Sequence, residues 1–215
     1  DPYRLVLALT QACEAIGVNI QHGDVNGLTD ENGQLTKMKT TRGELSCNTA
    51  VIALGPWTGN ASRWLGVPIP IRPLKGQIVR LNSPLTPVTC SVGWEGNYAC
   101  TKQDGLLWAG TTEEDAGFDE SPTSEGRDKV LISLRKMIPG LDEAELVQQT
   151  ACLRPLSKDG RIILGRIPQR ENVIIATGTG RKGILLGPAM GKLVSELVTN
   201  GYTDTNIEPF RLNRF

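Results

Sequence analysis

The segment 172–192 constrains the fold more than any other part of the chain. It opens with an apolar, β-branched run, passes through closely spaced glycines and ends with helical composition. The run 173–176 predicts a buried strand, and a helix is predicted over 184–198. The glycines that permit a tight turn between them are Gly178, Gly180 and Gly183. A helix starting after such a turn presents free backbone N–H groups and a positive dipole end. We therefore expect an anionic or electron-rich ligand edge at this place.

The same glycines match the G-x-G-x-x-G dinucleotide fingerprint letter for letter. That fingerprint has meaning inside a βαβ unit with an acidic residue roughly 20 positions further on. Asp204 stands at about that separation, but the tail 201–215 shows no strong strand to carry it. Three interpretations stay open: a cradle for ADP, a plain helix-capping turn, and a turn that faces another part of a cofactor. We favour the last.

Composition excludes several functional classes. Lys plus Arg number 23 and Asp plus Glu number 23, a balance that argues against a nucleic-acid partner or an anionic membrane surface. The five cysteines form no CxxC pair, which favours reduced thiols and a cytoplasmic protein. The single histidine, His22, completes no metal site with them, so no metal is expected. No apolar run is long enough to predict an integral membrane segment.

Strand and helix signals divide the chain. Residues 49–54 (TAVIAL) predict a buried strand of the parallel type, as 172–177 do near the other end. Further predicted elements are helices over 2–16 and 122–138, a helix around 60–65, and a short strand at 18–20. Asn-Gly at 32–33 and Asp-Gly at 104–105 predict hairpin turns.

These signals predict two interleaved units. The proline-rich passage 68–73 marks a crossing between domains. One unit, from 1–66 and 156–215, is predicted to have parallel strands flanked by helices. The other, from 67–155, is predicted to be an antiparallel or mixed sheet. The fold class is therefore α/β of the mixed α+β kind.

The chain also resembles a known family through a series of motifs whose order and spacing are shared. They are TAVIALGPWTGN at 49–60, RPLKGQ at 72–77, NY at 97–98, AGTT at 109–112, LRP at 153–155, KDG at 158–160, GTGRKGILLGP at 178–188 and PFRLNRF at 209–215. They resemble the carboxy-terminal portion of flavin-dependent amine and amino-acid oxidases of the D-amino-acid-oxidase superfamily. The greatest likeness is to the glycine oxidases that serve thiamine synthesis.

This resemblance implies an incomplete, Rossmann-like FAD-binding domain at 1–66 and 156–215, and a substrate-binding domain at 67–155. The family's own ADP-binding fingerprint lies upstream of the segment that this chain resembles. The resemblance therefore implies an FAD cofactor that this chain alone holds weakly or not at all. It also implies a small amine or amino-acid substrate, of the glycine, sarcosine or D-amino-acid type. A homo-oligomeric state stays open.

The resemblance further assigns site residues. It implies that Arg154 anchors the substrate carboxylate, that Tyr98 donates its hydroxyl to the same group, and that Arg181 faces the flavin and the substrate pocket. The fork of an arginine suits a carboxylate bidentately. The alternatives are a structural arginine, a core tyrosine and a solvated charge. The residues implied to bind the cofactor are Gly55, Pro56, Trp57, Gly180, Arg181, Lys182, Gly183, Ile184 and Leu185.

Two further features lie within or beside these motifs, Glu113 and the stretch 75–77. Glu113 could pair with a substrate ammonium if it faces the pocket, and is a solvated loop charge if it faces out. The stretch 75–77 (KGQ) is assigned no chemistry.

The sequence is also compatible with two other hypotheses. One is a non-catalytic fragment or subunit that binds a partner through the edge of an incomplete sheet. Another, a nicotinamide-dependent dehydrogenase, rests only on the literal fingerprint.

Overall fold

A computed structural model describes all residues, 1–215. The chain folds into two compact units, one made of Asp1–Arg72 with Pro155–Phe215 and the other of Pro73–Arg154. The helices are α1 (Pro2–Ala15), α2 (Ser62–Leu65), α3 (Ser124–Met137) and α4 (Gly183–Thr199). The strands are β1 (Val25–Glu31), β2 (Gln34–Thr40), β3 (Gly43–Ser46), β4 (Ala50–Ile52), β5 (Ile71–Asn82), β6 (Val92–Trp94), β7 (Asn97–Thr101), β8 (Leu107–Gly110), β9 (Glu145–Ser157), β10 (Ile163–Ile167) and β11 (Arg170–Thr177).

The first unit contains a mixed sheet with the order β10-β11-β4. β11 pairs with β4 in parallel, with Ile174 opposite Val51, and with β10 in antiparallel fashion. Val173, Ile174 and Ile175 are fully buried, as the apolar run predicted. The parallel pair and the surrounding helices confirm the mixed α/β fold class.

A second sheet of this unit, β1-β2-β3, is a meander of antiparallel strands. Its first turn is Asn32-Gly33, where both residues have positive φ, of 54° and 77°. Positive φ at both central positions is the type I′ geometry that Asn-Gly favours, so the predicted hairpin is confirmed.

The second unit is built on a five-stranded sheet with the order β6-β7-β8-β5-β9. α3 packs on one face of it, where its buried Val130 and Leu134 join Val79, Leu81 and Ala99 of the sheet in one core. Thr123 caps α3, because its hydroxyl accepts from the Gly126 N–H at 3.1 Å. The helix over 122–138 and the hairpin at Asp104-Gly105 predicted for this region are confirmed within a few residues.

One predicted strand is absent. Residues 18–20 have no regular structure, and Val18 and Ile20 are about half exposed. β-branched residues favour a strand only where a neighbouring strand supplies hydrogen bonds and packing, and no strand pairs with this segment. His22, expected near the end of a strand, lies in the same irregular exposed segment.

α1 has a side-chain cap at its N-terminus but no buried residue. The Asp1 carboxylate accepts from the N–H groups of Tyr3 and Arg4, at 3.0 and 3.3 Å, as an N-cap. Its apolar side chains are nevertheless exposed, Val6 by 55% and Leu9 by 57%.

None of the chain's helices is both long enough and apolar enough to cross a membrane.

A bidentate ion pair holds residues 208–215 against the rest of the first unit. Arg214 Nε and Nη2 donate to the two carboxylate oxygens of Asp159, at 2.8 and 3.0 Å. The hydrogen bonds from Arg214 lower the pKa of the Asp159 carboxyl. Burial raises this pKa, whereas the hydrogen bond from the Arg161 N–H lowers it further. The resulting pKa lies well below the usual range of an aspartate. Leu212, two residues before Arg214, is buried in the core that also contains Ile163 and Ile167.

We expect Asp159→Asn to lower the free energy of unfolding at neutral pH by about 1–2 kcal/mol, since it removes a charged acceptor from a partly buried pair. A carboxyl whose pKa is depressed by folding stabilises the protein above the unfolded pKa of about 3.9 and loses that contribution as the pH falls through the folded value. Urea denaturation at neutral and acidic pH should show the difference between the two proteins shrinking below about pH 4.

The matched control is Glu208→Gln, which alters the more exposed Arg211–Glu208 pair of the same segment. It should change stability by less than about 0.5 kcal/mol. Equal effects of the two substitutions would contradict the assignment.

Candidate active site

One face of the five-stranded sheet collects the polar side chains that the sequence singled out in the second unit. Tyr98 of β7 lies opposite Gly110 of β8, which in turn lies opposite Ile78 of β5. Directly opposed residues of antiparallel strands project from the same face, and so do residues two apart on one strand. The side chains of Tyr98 and Ile78 therefore share a face with the space above Gly76.

The Arg154 guanidinium occupies that space. A Cβ built on Gly76 would lie 2.0 Å from Arg154 Nη2 and 2.3 Å from its Cζ. Nη2 donates to Thr111 Oγ1 at 2.7 Å, and Nη1 donates to the Thr112 carbonyl at 3.3 Å. The half-buried guanidinium thus rests against the backbone of β5 and is held from the end of β8.

Tyr98 lies close enough to Arg154 for their charges to interact. Burial raises the pKa of the Tyr98 phenol, and the positive charges of Lys102 and Arg154 only partly offset this. The phenol is therefore protonated at neutral pH and can donate a hydrogen bond. Both predicted substrate residues of this unit are brought to one face of one sheet.

The opposite face holds a buried hydrogen-bond network centred on Gln77. Gln77 Nε2 donates to Glu114 Oε1 at 2.8 Å and to Thr123 Oγ1 at 2.9 Å. Gln77 Oε1 accepts from the Thr123 N–H and from Gln149 Nε2, both at 2.8 Å. The network fixes the N-terminus of α3 on the sheet. It also reaches the Arg154 site, because the Gln77 N–H donates to Thr112 Oγ1 at 2.9 Å.

Lys75 is buried on the same side of β5 as Gln77, with a relative exposure of 1%. Its Nζ donates to Asp119 Oδ2 at 3.2 Å. Hydrogen bonds from Ser121, followed by that from Lys75, lower the pKa of Asp119 to about 2. Glu113, considered for a substrate contact, is exposed, whereas its neighbour Glu114 belongs to the network at Gln77.

In the first unit, the turns that follow the parallel strands β4 and β11 are joined by buried hydroxyls. Thr58 Oγ1 donates to the Gly55 carbonyl at 2.6 Å and lies 3.1 Å from Thr177 Oγ1. Thr177 Oγ1 also lies 3.3 Å from the Gly55 carbonyl oxygen. Gly55 itself has a φ of 55°, which a side chain would disfavour. The predicted cofactor residues Pro56 and Trp57 follow it, the first buried and the second about half exposed.

The other predicted cofactor residues form the entry to α4. Gly180, Arg181 and Lys182 make a short 3-10 turn, and α4 begins at Gly183. No side chain caps this helix, and its first turn holds no acidic residue. Ile184 and Leu185 project outward, with exposures of 49% and 77%. The turn therefore presents backbone N–H groups, two cationic side chains and exposed apolar side chains together.

The βαβ context of the dinucleotide fingerprint is not formed here. After α4 the chain continues through irregular segments and two 3-10 turns, without a further strand. Asp204 therefore does not stand at the end of a second strand, and the glycines 178–183 serve as a strand-to-helix turn.

Three residues that set the position of Arg154 were not predicted from the sequence, namely Gly76, Thr111 and Thr112. Two of the motifs contained them, RPLKGQ and AGTT, but no chemistry was assigned to these positions. The glycine of RPLKGQ was the available signal, since a glycine within a strand often marks a close approach of another group, but no strand was predicted over it.

Comparison with known proteins gives a family. Residues 1–197 match the model of the DAO family, described as FAD dependent oxidoreductase. The chain is 32% identical over 198 residues to a glycine oxidase of Pseudomonas putida, an alignment that covers 91% of this chain and 54% of the relative. The chain thus spans about half the length of the curated relatives it matches.

Solved structures agree. The crystal structure of a glycine oxidase from Geobacillus kaustophilus superposes with a TM-score of 0.92 at 29% identity, covering 98% of this chain and 57% of that one. An iminodiacetate oxidase from Chelativorans sp. superposes with a TM-score of 0.89 at 26% identity, covering 96% of this chain and 57% of that one.

Thr177→Val tests the link between the two turns. The substitution keeps the volume but removes the buried hydroxyl beside Thr58 and the Gly55 carbonyl, so we expect a loss of about 1–2 kcal/mol of unfolding free energy. Chemical denaturation measures it. Thr199→Val is the control, because the Thr199 hydroxyl is exposed and contacts only its own helix end. An effect no larger than the control's would show that the hydroxyl link contributes nothing.

Proposed function

We propose that this chain, which belongs to the DAO family of FAD dependent oxidoreductases, is the carboxy-terminal portion of an amine or amino-acid oxidoreductase. The substrate is a small amine or amino acid of the glycine, sarcosine or D-amino-acid type. FAD, when bound, would supply the acceptor for the hydride that leaves the carbon beside the amine, and the nitrogen would release a proton to solvent, so that the product is an imine.

The observation that most supports this proposal is the set of partners of Arg154. Its half-buried guanidinium donates only to neutral oxygens, those of Thr111 and Thr112, and pairs with no carboxylate of the chain. A partly buried cation is stabilised by an anion in bidentate contact. The remaining N–H groups of Arg154 would donate to the substrate carboxylate in this way.

Tyr98 would complete that contact. Its phenol is protonated at neutral pH and lies on the same sheet face as Arg154. A neutral donor beside a cation suits a carboxylate, which accepts several hydrogen bonds. Binding by both residues would fix the orientation of the α-carbon.

The first unit offers groups suited to the electron-rich part of FAD. The uncapped start of α4, with Arg181 and Lys182 before it, favours negative charge by its dipole and its side chains. That charge develops on the flavin when it is reduced, and fixed donors stabilise it. The turn at Gly55–Trp57 is the second proposed contact. We therefore propose a partial FAD-binding domain at 1–66 and 156–215, and a substrate-binding domain at 67–155.

Exposed apolar surface supports the proposal that the natural protein is longer. α1 buries none of its residues, and Val51 is 41% exposed on β4, an edge strand of its sheet. Edges and apolar helix faces of this kind are normally covered.

The five free cysteines favour a cytoplasmic location.

The same surface also favours the second candidate function. A non-catalytic fragment or subunit would use the β4 edge and α1 to bind a partner protein. Flavin content separates the two, since only the oxidoreductase hypothesis requires the completed protein to be yellow.

Arg154→Ala in the full-length protein tests the substrate assignment. Loss of a bidentate charged contact should raise KM for a carboxylated amine by about 10- to 100-fold, equivalent to roughly 1.5–3 kcal/mol, with flavin content unchanged. Arg154→Lys should recover only part of the affinity, because an ammonium lacks the fork. Arg135→Ala, at an exposed position of α3, is the control. An unchanged KM would remove Arg154 from the site.

The isolated chain should bind FAD weakly or not at all. The pyrophosphate and ribose contacts that give dinucleotides much of their affinity reside on a βαβ unit, which these residues do not form. The purified chain should be colourless, and added FAD should not raise its Tm, because stabilisation grows with the ratio of ligand concentration to Kd. Supplying the family's amino-terminal segment should restore the yellow colour. Tight binding of FAD by this chain alone would reinstate the glycines 178–183 as a nucleotide cradle.

A further inference from the structure

The guanidinium of Arg154 rests where the side chain of residue 76 would otherwise be. With a Cβ on Gly76, the distances to Arg154 Nη2, Nη1 and Cζ would be 2.0, 2.2 and 2.3 Å. Contacts this short cannot exist, so either β5 or the guanidinium would have to move. The guanidinium is the end of a flexible side chain, whereas β5 is an inner strand of the sheet. The arginine would therefore move.

Two hydrogen bonds set the rotation of the guanidinium over Gly76. Thr111 Oγ1 accepts from Nη2 at 2.7 Å, and the Thr112 carbonyl accepts from Nη1 at 3.3 Å. Thr112 is itself fixed, since its Oγ1 accepts from the Gln77 N–H at 2.9 Å and donates to the Glu114 carboxylate. Thr112 is thus anchored to Gln77 of β5, the residue next to the point where the arginine lies.

We propose that Gly76 and Thr111 are positioning residues for substrate recognition. Gly76 leaves the space that the Arg154 guanidinium occupies. Thr111 sets the orientation of the guanidinium, and with it the direction in which the remaining N–H groups point toward a carboxylate. The inference rests on the proposed function and deepens it. It makes carboxylate specificity a property of two residues that need not touch the substrate themselves.

The geometry separates this role from general stabilisation. Adding a methyl group at Gly76 displaces only the end of Arg154, so the sheet and its core on the α3 side are preserved. Thr111 is half-buried and donates only to the neighbouring Thr112 carbonyl, at 3.2 Å. Removing its hydroxyl therefore affects Arg154 more than any other partner.

The test uses the full-length protein with its cofactor and the variants Gly76→Ala, Thr111→Val and Thr111→Ser. KM and kcat are measured for a carboxylated amine and for an amine without a carboxylate. The Kd of acetate is measured by calorimetry, as a readout independent of turnover. Gly27→Ala is the matched control, since Gly27 also lies in a strand and its Cβ would meet Lys39 Cδ at an ordinary 3.5 Å.

Gly76→Ala and Thr111→Val should each raise KM for the carboxylated amine, and Kd for acetate, by about 10-fold or more, while kcat changes less than about threefold. Thr111→Ser keeps the acceptor oxygen and should restore binding to within about threefold of the unaltered protein. The amine without a carboxylate should be insensitive to all three. The double variant Gly76→Ala/Arg154→Ala should match Arg154→Ala alone, because both changes remove the same contact.

Several results would overturn the inference. If Gly76→Ala and Thr111→Val leave KM and the acetate Kd within twofold while Arg154→Ala raises them, the positioning role fails and the proposed function stands. Additive effects in the double variant would show that Gly76 does not act through Arg154. If Arg154→Ala itself changes neither value, both the proposed function and this inference fail. Should Gly76→Ala not fold, Thr111→Val and its serine counterpart decide the matter alone.

Discussion

The alternation of side chains along β5 is the constraint on which the second unit depends. Gly76 and Gln77 are adjacent, so they must face opposite sides of the sheet. Gly76 leaves room for the Arg154 guanidinium, whereas Gln77 fills a space beneath α3, where a Cβ on Gly126 would lie 2.2 Å from its Nε2. A shift of β5 by one residue would place the glutamine against the arginine and remove the anchor of the helix. The same two positions therefore set the place of α3 and the place of the Arg154 guanidinium, through which we propose that the substrate is recognised.

The partners of the arginines separate structural from functional roles. Arg170 and Arg214 are shielded from solvent, and each donates to an aspartate, Asp30 and Asp159, respectively. Arg166 donates to backbone carbonyls of Glu171, Leu197 and Gly201, and so ties α4 to its sheet. These three side chains fasten distant parts of the chain together. Arg154 donates to two consecutive residues at the end of β8 and has no carboxylate partner in the chain, which is why we propose an external anion for it.

Much of the fold was predictable because the responsible signals are local. The buried strand at 173–176, the Asn-Gly turn and the amphipathic face of α3 each follow from short-range chemistry. The prediction of a strand at 18–20 was wrong. A strand needs a neighbouring strand for its hydrogen bonds, and the local sequence does not show whether one is present. Arg154 and Tyr98 were chosen as candidates from the sequence, through a resemblance. Their shared face, and the roles of Gly76 and Thr111, depend on strand register, which brings residues 76, 98, 110 and 154 together only in the folded sheet.

The two cations at the entry to α4 complete the electrostatic argument for the first unit. Arg181 and Lys182 stand beside the positive end of a helix dipole, a place that disfavours cations. No acidic side chain occupies the first turn of α4 to offset it. The hydroxyl link between Thr58 and Thr177 holds the turn after β4 and the turn after β11 in one arrangement, so this positive region is supported by buried structure. An electron-rich cofactor would turn the unfavourable arrangement into a favourable one, since helix dipole and side chains would then act on the ligand with the same sign.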